Sequence, residues 1–168
     1  MSARAENNCF LCSPDAALVY LSNGIGLALC GLGPILKGYS VVATKMHVRS
    51  AADVAADQAP EFLAFVSHVR SKLAGLYGPC LITEHGRLPV CVDVSGTTDP
   101  HCYHAHFLMF PGAPDVEAAA RGHFKKVQES SSLEKALELA RMHDEYFLLS
   151  PNPQHYIVMT RPGKLIRQ

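Results

Sequence analysis

The chain has 168 residues, 48% of them hydrophobic and 18% charged, and its 15 basic side chains balance 15 acidic ones. That length and apolar content suit one domain with a buried core and exclude a disordered or polar tail. With no formal net charge there is no general pull toward nucleic-acid phosphates or an anionic membrane, so any phosphate must be recognised locally.

The opening MSARAENN is polar and carries no signal-peptide pattern, and the apolar run 16–21 is far too short to span a bilayer. The expectation is a cytoplasmic protein with neither a membrane nor a nucleic-acid partner. Cys9-Phe10-Leu11-Cys12 follows, a C-x-x-C motif. In a reducing compartment a close cysteine pair points to a metal ahead of a disulfide. A thioredoxin-like redox motif needs a strand before it and a helix straight after it, and here Ser13-Pro14 comes next. Cys30 and Cys80 sit in apolar surroundings and read as buried packing residues, while Cys91 carries no signal.

Two short strands, Leu18–Leu21 and Gly26–Cys30, flank the turn signal Asn23-Gly24. Tyr39–Thr44 is β-branched and apolar and reads as a central strand. A long helix starts at Pro60. Its residues Phe62, Phe65, Val66, Val69, Leu73 and Leu76 recur at helical spacing as one core-facing stripe, and Gly78-Pro79 ends it. Leu81–Thr83 is a short strand and 86–100 is mostly loop. Tyr103–Phe110 is a strand stopped by Pro111-Gly112. A second, C-terminal helix over Leu133–Phe147, capped by Ser132, precedes a last strand at His155–Thr160. This order predicts a single α+β domain over residues 1–168, with a mostly antiparallel sheet of about five strands.

The stretch HCYHAHFLMFP at 101–111 places three histidines and a cysteine within six residues, just before an apolar run. Alternate residues of a strand share a face, so Cys102, His104, His106 and Leu108 point one way, and Tyr103, Ala105, Phe107 and Met109 point into the core. Two histidines on one face exceed what packing needs. Zinc on Cys9 and Cys12 requires two more ligands. His47, just after the central strand, and His104 complete a closed, hence structural, set.

Four pieces in order then resemble the histidine-triad superfamily: CFLC, GPILKGYSVVATKMHVRS, EHG at 84–86, and HAHFLMFP. They resemble in particular its zinc-containing branch, a feature shared with galactose-1-phosphate uridylyltransferases. The matches run from Cys9 to Pro111, and the C-terminal third adds only a compatible helix and strand. The resemblance implies a nucleotide hydrolase or nucleotidyltransferase with a small-molecule nucleotide or phosphate ester as partner. A histidine would attack the α-phosphorus of a phosphoanhydride, phosphoramidate or nucleotide ester and form a covalent nucleotidyl-histidine. It also implies a homodimer.

Two frames place the triad. Anchoring on Pro111 gives His104, His106 and Leu108, with His104 on zinc and His106 as nucleophile. Anchoring on three consecutive metal-capable positions gives Cys102, His104 and His106, with His104 as nucleophile. The first keeps the proline offset and supplies the usual zinc set, and is preferred. Three departures from the family's pattern bear on substrate binding. Leu108 replaces the third, phosphate-binding histidine, Gly31 stands where many members carry a ribose-binding aspartate, and Tyr39 replaces a frequent histidine. Candidate substitutes are His101, Glu84 and His85, each also readable as a loop residue, and the cation Arg87. The alternative function is a zinc-stabilised nucleotide- or phosphate-binding protein with weakened turnover.

Overall fold

The computed structural model describes residues 9–31, 33, 35–87, 103–112 and 115–162. Among the described residues, eight strands form one antiparallel sheet: β1 (Val19–Ser22), β2 (Gly26–Cys30), β3 (Ser40–Thr44), β4 (Cys80–Glu84), β5 (His106–Pro111), β6 (Phe124–Ser130), β7 (Phe147–Asn152) and β8 (His155–Pro162). Their order across the sheet is β1-β2-β3-β5-β4-β7-β8-β6. The α-helices described are α1 (Ala59–Tyr77), α2 (Glu117–Gly122) and α3 (Leu133–Arg141).

The sheet has more strands than the expected five, and the second long helix is shorter than expected. The helix begins as predicted, with Ser132 accepting a hydrogen bond from the Lys135 amide. It ends at Arg141 instead of running to Phe147, because Tyr146 turns into the core and Phe147 opens β7. Strands β6 and β7 escape a periodicity reading for separate reasons. FKKVQES is an edge strand with only two apolar residues, and FLLSPN carries Pro151, which argues against a strand and sits at a register shift.

One face of the sheet is covered by α1 and α3. Phe62, Phe65, Val66, Val69 and Leu73 of α1 and Leu133, Ala136, Leu137 and Ala140 of α3 pack on Ala28, Val42, Ile82, Phe107, Met109, Leu148 and Val158. Fully burying a side chain the size of Phe62 or Phe107 contributes about 1.5–3 kcal/mol. Leu76 departs from its predicted burial and is 72% exposed. Its angular position matches the apolar stripe, so the last turn of α1 outruns the surface on which the helix packs. Gly78 then ends the helix with φ +93°. Cys30 is also exposed, against expectation, as the terminal residue of β2, whose four preceding residues are all buried.

Arg70, on the flank of the α1 stripe, is buried with no carboxylate partner among the described residues. Its Nε donates to the Cys80 carbonyl at 2.8 Å, Nη1 to Ser150 Oγ at 2.9 Å and Nη2 to the Ser150 carbonyl at 2.9 Å. The helix is thereby fastened to β4 and β7.

The opposite face carries two separate clusters. Cys9 and Leu11 cover Leu27, Leu29, Val41 and Ala43 on β2 and β3, with Leu108 at the margin. Leu81, Leu149, Ile157 and Met159 form the other, with Phe110, Ala120 and Phe124 against it. His106 lies on β5, the strand that runs between them.

Candidate functional site

Strand β5 alternates as predicted from His106 onward: Phe107, Met109 and Pro111 are buried, whereas His106, Leu108 and Phe110 are half-buried on the other face. The strand starts three residues later than expected, however. His104 and Ala105 precede it and are both buried. The main chain there is pinned from two sides, since the Ala105 amide donates to the Val48 carbonyl at 2.7 Å and the Thr44 amide donates to the Ala105 carbonyl at 3.2 Å. This lets His104 turn toward the N-terminal segment while His106 remains on the sheet.

Cys9, Cys12, His47 and His104 converge, with all four ligand atoms within 4.8 Å of one another. Cys12 Sγ lies 3.1 Å from His47 Nδ1, Cys9 Sγ 3.2 Å from His104 Nδ1, and Cys12 Sγ 3.6 Å from His104 Nδ1. Neighbouring ligands of a tetrahedral zinc with ordinary Zn–S and Zn–N bonds stand about 3.3–3.8 Å apart, so the donor types fit a metal ion and the spacing lies within a few tenths of an ångström of that range at the three close pairs. The outer atoms fit as well. His104 Nε2 donates to the Thr44 carbonyl at 2.7 Å, which fixes the tautomer that turns Nδ1 to the thiols. Burial, and then the imidazoles of His47 and His106, pushes His104 down to about 4, so the ring is neutral and its Nδ1 lone pair is available.

His104 serves the adjacent site through its main chain. Its carbonyl accepts a hydrogen bond from His106 Nδ1 at 2.6 Å. That bond commits the His106 proton to Nδ1 and leaves Nε2 as the lone-pair nitrogen. Burial lowers the His106 pKa, which keeps the ring in its neutral form.

The EHG segment at the end of β4 divides its work between the two faces. Glu84 is 2% exposed; its Oε1 accepts from the Ala51 amide at 2.6 Å and its Oε2 from the Tyr146 hydroxyl at 2.7 Å. The carboxyl therefore braces the turn after His47 against Tyr146 on the helix side. Gly86 leaves room for that tyrosine, since a Cβ there would stand 2.0 Å from its ring. His85 lies on the opposite face, half-buried and stacked on Phe147 with centroids 5.2 Å apart. Arg87 folds back on the protein: its guanidinium lies over the Tyr146 ring, 3.5 Å from Asp53, and donates to the Ala140 carbonyl at 3.4 Å.

Burial pushes Glu84 up to about 7. The folded protein then keeps a proton that the unfolded chain releases at ordinary carboxylate pH. The unfolded state binds fewer protons in that window, so stability falls as pH rises from the unfolded pKa of about 4.5 through 7. The contribution at stake is about 3 kcal/mol, at 1.36 kcal/mol per pKa unit. In urea unfolding at about pH 5 and about pH 8, the wild type is expected to lose more stability over the interval than Glu84→Gln. Equal losses in the two proteins would show that Glu84 does not titrate there.

Gly31 and Tyr39 are a matched pair. A Cβ at position 31 would stand 2.0 Å from the Tyr39 ring, which is stacked on Phe110 with centroids 5.0 Å apart. The tyrosine thus occupies the space a longer residue 31 would need. Gly31→Ala is expected to displace that ring and destabilise the protein by about 1–3 kcal/mol, read as a lower melting temperature. His101, Cys91, Cys102 and Pro34 lie outside the described residues.

Sequence reasoning brought together the four metal-capable residues and His106. It missed Tyr146 and Arg70, which lie far in sequence from their partners and match no local motif.

Among the described residues, one antiparallel sheet with its two longer helices on one side and a histidine-bearing central strand beside the cysteine segment defines an α+β fold. No protein-family model matches the sequence, and no curated protein does. Among solved structures, the chain is similar to yeast Ap4A phosphorylase Apa2, crystallised in complex with Ap4A, at a TM-score of 0.50 and 15% identity. The match covers 89% of this chain and 62% of that one, so the chain spans about three-fifths of that protein, and the likeness is one of fold. Among the described residues, no helix is long and apolar enough to cross a membrane.

Proposed function

We propose that this protein is a nucleotide hydrolase or nucleotidyltransferase of the histidine-triad type. In this reading His106 attacks phosphorus through Nε2: a P–N bond forms, the P–O bond to the leaving group breaks, and water or another acceptor later resolves the nucleotidyl-histidine. The observation that carries the reading is the 2.6 Å hydrogen bond from His106 Nδ1 to the His104 carbonyl. It holds the imidazole as a nucleophile whose proton already has an acceptor. Fold likeness to a phosphorylase solved with Ap4A supports a small-molecule nucleotide as partner, and the balanced charge of the chain agrees with that choice over nucleic acid.

Zinc on Cys9, Cys12, His47 and His104 would have a structural role, tying the N-terminal segment to the entry of β5. The remaining family expectations, one domain, a homodimer and a cytoplasmic location, belong to the same reading. Mixing the protein with labelled Ap4A and quenching in denaturant should trap an acid-labile, base-stable adduct that His106→Ala cannot form. Absence of an adduct from wild type under single-turnover conditions would overturn the covalent route.

The second reading, a nucleotide- or phosphate-binding protein with weakened turnover, is favoured by the Tyr39 ring over Gly31 and by Leu108 in place of a hydrogen-bond donor. Nucleotide binding without an adduct would select it.

A further inference from the structure

The sheet face that carries His106 holds a second imidazole. Strands β4 and β5 pair antiparallel, with Leu81 opposite Phe110 and Thr83 opposite Leu108. Carried on by two residues, that register sets His85 across from His106. Both side chains leave the helix-covered core, because Glu84 and Phe107, their neighbours in the chain, point into it. Directly opposed residues of an antiparallel pair have Cβ atoms about 4.5–5.5 Å apart. A phosphoryl group on His106 Nε2 would therefore sit beside the His85 ring.

The His85 ring is held without using its nitrogens. It stacks on Phe147, which stacks in turn on Phe124 with centroids 5.5 Å apart. Among the described residues no hydrogen bond reaches the ring. Among the described residues, the strand neighbours of the pair, Ala43, Leu108 and Thr83, supply no nitrogen donor. Burial, and then the His106 imidazole, holds His85 down at about 4, so the ring is neutral and carries one N–H.

We propose that His85 is a catalytic residue whose ring N–H donates a hydrogen bond to a non-bridging phosphoryl oxygen of substrate held against His106. The inference rests on the proposed function and names the donor that Leu108 cannot be. No proton is transferred by His85. The P–N bond forms from the His106 lone pair, the leaving oxygen departs with the electrons of the broken P–O bond, and the His85 hydrogen bond strengthens as charge builds on the oxygen.

The test uses the metal-replete full chain and two probes, labelled Ap4A for adduct formation and AMP for binding. His85→Ala is expected to slow adduct formation about a hundredfold or more, the usual effect of removing one such donor. AMP binding should weaken about fivefold or more, with metal content unchanged. His85→Gln, which keeps an N–H, should recover about tenfold of the lost rate. Should the alanine variant fail to fold, His85→Phe keeps the stack on Phe147 and removes the N–H. Adduct formation within about threefold of wild type in the donor-less variant overturns the proposal. If wild type forms no adduct, AMP decides: binding weakened by His85→Ala and restored by His85→Gln supports it, whereas equal binding, or no binding to wild type, overturns it.

Discussion

Replacing His106 by alanine is expected to lower turnover about ten-thousandfold or more while leaving the metal site filled and the melting temperature nearly unchanged. The loss corresponds to about 5 kcal/mol of transition-state stabilisation. Losses of that size follow removal of the atom that bonds to substrate. Stability should hold because His106 is half-buried on β5 and, among the described residues, its side chain makes one hydrogen bond, to the His104 carbonyl. The measurement is steady-state turnover of Ap4A beside metal analysis and a melting curve on the same preparation. Residual activity within about a hundredfold of wild type would place the nucleophile elsewhere.

Cys9→Ser and Cys12→Ser are expected to act the opposite way, on stability and metal together. The four donors come from three segments distant in sequence: the N-terminal motif, the residue after β3 and the entry to β5. A metal there closes loops of about 35 and about 95 residues, and structural zinc contributes about 10–16 kcal/mol in small zinc-dependent domains. Here the sheet packs independently on its helix side, so the loss should be partial, several kcal/mol. At about 2–4 °C per kcal/mol for a chain of this size, a loss of about 4 kcal/mol lowers the melting temperature by about 8–16 °C. Wild type should carry about one zinc per chain and each variant much less. A metal-free wild type, or variants of undiminished stability, would remove zinc from the description. Because the His104 carbonyl accepts from His106 Nδ1, chelation should also slow adduct formation.

The residues that bear local signals were legible. The Asn23-Gly24 turn with its flanking strands, the Pro60 start and Gly78 end of the long helix, and the Ser132 cap all lie where turn and capping chemistry place them. The metal-capable set was legible because thiol and imidazole pairs are rare and specific. Strand β6 and helix α2 were not, being short, polar or at the sheet edge.

Glu84, His85 and Gly86 divide the question most clearly. Glu84 and His85 were equally readable as loop or site. Only the packed sheet turns Glu84 inward to Ala51 and Tyr146, opens Gly86 for that ring and leaves His85 on the face of His106. Sequence alone determined the kinds of chemistry available to this protein, two thiols and a cluster of imidazoles beside an apolar strand, because side-chain identity is local. Which imidazole meets the thiols, which keeps a free nitrogen and which stands across the strand from it were decided by tertiary structure. Those relations depend on strand register and on which face each residue takes, and register is settled by contacts between segments far apart in the chain.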